Sequence, residues 1–168
     1  AAKRAGDFYG IGVFFAFEVS CQGNDFLIYG LGEDWLLAHP DSDRIPIKEF
    51  LTLARADGGF VVHAHPFRED PHVPLIRLIP DVTDAVEVLN ANRKPIQNAR
   101  AKWYAESYGL PVTAGSDAHH PCMIKDGGVL TREPIRSAAD YAAMVKERRL
   151  AALSGPGLSR SAERLFAG

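Results

Sequence analysis

Short apolar runs, each closed by a turn or polar residue and followed by a stretch of helical spacing, recur along this chain of 168 residues. Residues 11–19 (IGVFFAFEV) are β-branched and aromatic, the pattern of a buried strand. Residues 25–31 (DFLIYGL) form a second such run, entered through the turn residues Gly23 and Asn24. Between residues 47 and 56 the apolar side chains fall at 47, 50, 51, 53 and 54, which is helical spacing. Gly58 and Gly59 end that helix, and residues 60–65 (FVVHAH) follow as a strand stopped by Pro66. Further strands are expected over 84–90, 110–114, 127–131 and 151–154. Helices are expected over 95–108, with Pro95 in the first turn and Gly109 past the end, and over 137–149, with Ser137 as N-cap. Such alternation implies an α/β fold of parallel strands with right-handed crossovers, either an open doubly wound sheet or a barrel. In both, chemistry gathers at the C-terminal ends of the strands. No repeat or boundary divides the chain, so one domain is expected over 1–154, followed by a surface tail over 155–168.

The histidines lie at those strand ends. Five of the six fall within 63–72 and 119–120, and only His39 stands apart. Clustering of this kind raises metal or acid–base chemistry first. In Val62-His63-Ala64-His65-Pro66-Phe67-Arg68, residues i and i+2 of a strand share a face, so His63 and His65 are expected to converge on one centre. Two buried histidines satisfied by hydrogen bonds are the plainer alternative. In Gly115-Ser116-Asp117-Ala118-His119-His120 the same spacing joins a hard carboxylate to an imidazole, a usual mix for hydrolytic metal centres. Its alternative is a turn capped by Asp117, with the histidines in solvent. Glu18 interrupts an apolar run, where a carboxylate is costly unless paired or bound to a cation. It either faces solvent or an arginine, or bridges metal ions. Arg68 and Arg93 follow strand ends and are candidates for gripping phosphate, against the alternative of surface ion pairs. His39 and His72 are expected in loops, and Cys21 and Cys122 as incidental cysteines.

The bulk properties exclude several classes. A formal net charge of −2 gives no electrostatic footprint for general nucleic-acid binding, although a nucleotide held locally stays compatible. No apolar run approaches the roughly 18 residues of a membrane span. Two cysteines and no signal-peptide pattern in the first residues point to the cytoplasm.

These residues carry a resemblance. The runs GVFFAFEVSC and DFLIYGL, then VVHAHPFR, VEVLNANR, LPVTAGSDAHHP and GGVLT with its following helix, resemble the PHP (polymerase and histidinol phosphatase) family over residues 9–153. The resemblance implies a distorted (β/α)7 barrel, similar to a TIM barrel, that binds two or three divalent ions (Zn, Mn or Fe) and hydrolyses phosphate esters. Matched by position, Glu18, His65, Asp117 and His119 correspond to metal ligands. His63 corresponds to a ligand, to a residue supporting one or to a proton donor. Where many relatives place a histidine before the second strand, this chain has Asn24 and Asp25, so either Asp25 substitutes as a ligand or that site is lost. The family's opening His-X-His strand and Thr-Asp-His turn are not among these residues. The expectation is therefore a barrel lacking its first strands, with a site incomplete on that side.

The implied chemistry is attack of a metal-activated water on phosphorus, with Arg68 and Arg93 neutralising the phosphoryl oxygens and His63 protonating the leaving group. The implied substrates are a small phosphomonoester, a nucleotide or an oligonucleotide end, and the oligomeric state is not written in the sequence. Two rivals accompany this reading. An amidohydrolase-type metal hydrolase also uses His-X-His and Asp on barrel strands but attacks carbon, and amidase against phosphatase assays separate the two. A degenerate or truncated PHP module with a binding or regulatory role is the other, marked by low metal content and no hydrolysis.

Overall fold

A computed structural model of the chain describes residues 1–40, 44–71 and 73–154. His72 and the tail over 155–168, both assigned from sequence, lie outside the described residues. The elements in chain order are α1 (Ala2–Tyr9), β1 (Phe17–Cys21), β2 (Asn24–Tyr29), α2 (Glu33–Ala38), α3 (Ile47–Ala56) and β3 (Phe60–Ala64). They continue with β4 (Ala85–Asn90), α4 (Pro95–Tyr108), β5 (Val112–Gly115), β6 (Gly128–Leu130), α5 (Ala138–Lys146) and β7 (Ala152–Ser154). Single 3-10 turns occupy Pro80–Val82 and Pro121–Met123.

Five strands form one open sheet in the order β1-β2-β3-β4-β5, and β6 and β7 form a separate antiparallel pair. The all-parallel arrangement expected from sequence is corrected here. β1 and β2 are an antiparallel hairpin, β2 and β3 are also antiparallel, and only β3, β4 and β5 run parallel. The hairpin has a local cause. Gln22 and Gly23 both take left-handed φ, 53° and 78°, the geometry of a two-residue turn whose twist suits antiparallel strands. The direction of the strands brings the start of β2 to the same rim as the ends of β3, β4 and β5.

The expected strand over 11–19 begins only at Phe17, where its register meets Ile28 of β2. No described strand lies beyond β1, so Ile11, Val13, Phe14 and Phe15 stay exposed and unpaired. The helix expected over 137–149 is shorter than its apolar pattern, although Ser137 caps it as expected and accepts the Asp140 N–H at 2.9 Å. Helices α1 and α2 had no counterpart in the sequence reading.

Alternation along the strands gives the sheet two faces. On the first, Phe26, Ile28 and Val61 meet Phe50, Leu51 and Ala54 of α3, and Val86 and Val88 meet Ala101, Tyr104 and Ala105 of α4. On the second, Val62 and Ala85 meet Ala142 and Val145 of α5, joined by Tyr29 and Tyr141. The C-terminal rim of that second face, around Asp25 and Glu87, lies beyond the cluster that α5 covers.

Candidate metal centre

Four segments deliver side chains to this rim. Asp25 comes from the start of β2 and sits opposite Ser20 of β1, whose hydroxyl donates to Asp25 Oδ1. Glu18 lies two residues before Ser20 and so shares its face. His65 follows the end of β3, and Asp117 follows β5. One ligand atom each from Glu18, Asp25 and His65 lie within 4.8 Å of one another. His65 Nε2 is 3.8 Å from Asp25 Oδ2 and 3.8 Å from Asp117 Oδ2, so Asp117 borders this set through His65.

Two of these residues are backbone outliers. His65 has φ 29° and Asp117 has φ 50°, in the left-handed region that non-glycine residues enter at a cost of roughly 1–3 kcal/mol. That conformation takes His65 out of the strand's alternation. The expectation that His63 and His65 converge on one centre is therefore corrected. The His63 ring stacks on Phe26 with centroids 4.4 Å apart and meets Tyr104 of α4 edge-on at 5.9 Å, on the helix-covered face. It is fully buried, neither ring nitrogen has a partner among the described residues, and burial lowers its pKa to about 3.

His119 is near the cluster but not within it. Its side chain is 69% exposed, with Nδ1 3.5 Å from Asp117 Oδ1. His120 is also exposed, and His39 lies against Trp35 in a separate aromatic group. Arg68 and Arg93 do reach the rim, yet each is paired to a carboxylate: Arg68 Nη1 donates to Asp25 Oδ2 at 2.8 Å, and Arg93 donates to Asp117 Oδ2. Cys21 is half-buried and Cys122 exposed, both as free thiols.

The electrostatics are those of crowded carboxylates. Partial burial raises the pKa of Glu18, and the neighbouring Asp25 and Asp117 raise it further. Burial lowers the pKa of the His65 imidazole against the pull of Asp117. His65 Nδ1 is buried without a partner among the described residues. Carboxylates and an imidazole gathered in this way fit a divalent cation.

Sequence reading missed Glu87. It is 5% exposed on β4, and its Oε2 accepts the His65 N–H at 2.9 Å and Asn90 Nδ2 at 3.0 Å. Burial pushes its pKa up to about 7, against the effect of those two hydrogen bonds. The available signal was an acidic residue inside the apolar strand run AVEVLN, the same signal that singled out Glu18.

The fold and the rim together define an α/β protein with a candidate metal centre at the strand ends. A family model described as PHP-associated matches residues 95–150, which span α4 to the end of α5. The fold is similar to a two-domain protein of Bacteroides vulgatus described as containing a predicted PHP-like metal-dependent phosphoesterase. The likeness has 16% identity and a TM-score of 0.65, over 90% of this chain and 48% of that one. It is also similar to PsfC from Pseudomonas syringae, with 19% identity and a TM-score of 0.63, over 93% of this chain and 63% of that one. The chain thus spans about half to two thirds of the length of these structures. No curated protein matches the sequence. The chain shares the fold of these two structures over about nine tenths of its length, and residues 95–150 match the PHP-associated model.

Proposed function

We propose that this rim is part of the metal site of a PHP-type phosphoesterase. One observation carries the reading: Glu18, Asp25 and His65 come from three separate segments with ligand atoms within 4.8 Å of one another, and Asp117, from a fourth, lies 3.8 Å from His65 Nε2. In this reading those four residues contribute ligands to a site that holds two or three divalent ions when complete, and Asp25 is a ligand in its own right. His119 completes the set by turning its exposed ring inward. A divalent ion bound there supplies a Lewis acid and a water acidified toward neutrality.

The chain's own residues do the rest. Carboxylates fix the site and supply its negative charge. Once a cation draws on Asp25 and Asp117, Arg68 and Arg93 have guanidinium donors to turn toward phosphoryl oxygens, whose planar geometry they match. His63 is left out of this reading, because its ring lies against Phe26 and Tyr104 rather than toward the carboxylates. The substrate class is a phosphate ester: a small phosphomonoester, a nucleotide or an oligonucleotide end. The distorted (β/α)7 barrel is the finer architectural reading, with this open sheet as the part that carries these ligands. It is supported by likeness to longer PHP-like proteins. No helix among the described residues is long and apolar enough to cross a membrane.

The test is elemental analysis of the chain purified without chelator, beside hydrolysis of an aryl phosphate and of an aryl amide. Bound transition metal with phosphatase activity that chelator removes, and that Asp117→Ala abolishes, is the expected result. A chain that takes up no metal, or an Asp25→Ala variant that binds it like the parent, overturns the assignment. Turnover of the amide alone would move the protein to the amidohydrolase class.

A further inference from the structure

A non-glycine residue held in left-handed conformation at a strand end needs something to hold it there. For His65 that support has a visible source. The parallel register of β3 with β4 ends at His63 opposite Val86. Past that point the His65 N–H donates to a side chain, Glu87 Oε2, at 2.9 Å. The same oxygen accepts Asn90 Nδ2 at 3.0 Å, so two donors converge on one buried carboxylate oxygen. Asn90 is itself fixed by α4: Asn98 Oδ1 accepts its N–H at 3.1 Å, and Asn98 Nδ2 donates to its carbonyl at 3.1 Å. Two backbone features fit the arrangement. β4 is bulged against β5 between Glu87 and Leu89, a device that re-aims side chains beside functional sites. Gly115 leaves room on the other side, since a Cβ there would lie 2.5 Å from Glu87 Oε1.

We propose that Glu87 is a positioning residue that, through its hydrogen bond to the His65 N–H, holds the His65 imidazole turned toward Asp25 and Asp117. The proposal rests on reading those residues as metal ligands. Glu87 touches neither substrate nor reacting atoms in this role. It acts through the backbone of His65, and Asn98 and Asn90 connect that support to α4. Burial of a carboxylate without such a task would cost free energy and return nothing.

Reach and charge can be separated in the full chain. Glu87→Gln keeps the length and an oxygen acceptor but loses the charge, whereas Glu87→Asp keeps the charge but withdraws the acceptor by one methylene. Two readouts apply: amide hydrogen exchange at His65 without metal, and Zn2+ affinity by calorimetry. Supporting residues around metal ligands typically matter by 10–100-fold, so Glu87→Asp is expected to weaken Zn2+ binding about tenfold or more, and Glu87→Gln by no more than about threefold. His65 amide exchange should speed up in Glu87→Asp and stay near the parent rate in Glu87→Gln, with Val61 and Val62 unchanged in both. Parental behaviour in Glu87→Asp, equal losses in both variants, or the reverse order overturns the proposal. A parent chain that binds no Zn2+ sinks the metal reading alone, and the exchange data then decide by the same criterion whether Glu87 holds His65.

Discussion

His63 and His65 are two residues apart and face different worlds. His63 sits inside β3, stacked on Phe26, with neither ring nitrogen partnered among the described residues and burial lowering its pKa to about 3. His65 sits one step beyond the strand, its Nε2 equidistant at 3.8 Å from two carboxylates and its backbone tied to a third. The residue type is the same, and so is the nominal strand spacing. What separates them is one backbone angle, the φ of 29° at His65, which ends the alternation that would have put both rings on one face. An His-X-His pair at a strand terminus therefore splits into one rim residue and one core residue when the second member leaves the β region.

The sharpest way to break this comparison is to exchange metal binding between the two. His65→Ala is expected to weaken Zn2+ binding on the order of a hundredfold or more, since even supporting residues matter by 10–100-fold. His63→Phe, which keeps an aromatic ring against Phe26 and Tyr104, is expected to leave Zn2+ affinity unchanged by calorimetry. A comparable loss in the two variants would abolish the distinction.

Stability against pH sharpens it from the other side. The folded-state pKa of His63 lies below its unfolded value near 6.5, so the unfolded chain binds a proton that the folded chain refuses between about pH 6.5 and pH 3. Stability is then fully present above pH 6.5 and lost as pH falls through that window, by up to about 1.4 kcal/mol per pH unit for one proton. Glu87, raised to about 7, gives a slope of opposite sign above about pH 4.5, so the His63 contribution is read as the difference between parent and His63→Phe in urea unfolding at pH 7, 6 and 5. An unaltered slope in that variant would mean that His63 is not the group refusing the proton.

A smaller effect is expected at Gly115, where an added methyl meets Glu87 Oε1. Gly115→Ala should destabilise by about 1–3 kcal/mol, the usual range for overpacking, and lower Zn2+ affinity in the same variant. Destabilisation without any change in metal binding would separate the packing at Gly115 from the support of His65. A change of similar size is expected for Arg68→Ala. Its partner Asp25 is only 3% exposed but keeps the Ser20 hydroxyl as donor, so stability should fall by about 1–3 kcal/mol, while inhibition of hydrolysis by inorganic phosphate weakens. Phosphate inhibition equal to the parent would remove Arg68 from the substrate side of the rim.

Much of the site was legible in the chain. Glu18 stood out as a carboxylate within an apolar run, although the structure leaves it exposed on β1, and Asp117 and His65 stood out as polar residues at strand ends. Glu87 gives the same signal inside AVEVLN and is the one that is buried. The arginines were legible as rim residues. Their pairing was not, because an ion pair between residues 43 positions apart, such as Arg68 with Asp25, depends on which strands become neighbours.

The sequence by itself determined where most of the elements lie and which side chains are too polar for their surroundings. Those properties are local: apolar spacing selects helix or strand, and the free energy of desolvating a carboxylate is written in its own position. The tertiary structure decided strand direction and the meeting of side chains. β2 runs against its neighbours because Gln22 and Gly23 both accept left-handed φ, and that reversal puts Asp25 at the same rim as His65 and Asp117. His63 turns inward and His65 outward because the ladder between β3 and β4 stops and Glu87 takes the next N–H. A turn's handedness and a ladder's end depend on contacts with distant segments, so periodicity within a single run cannot encode them.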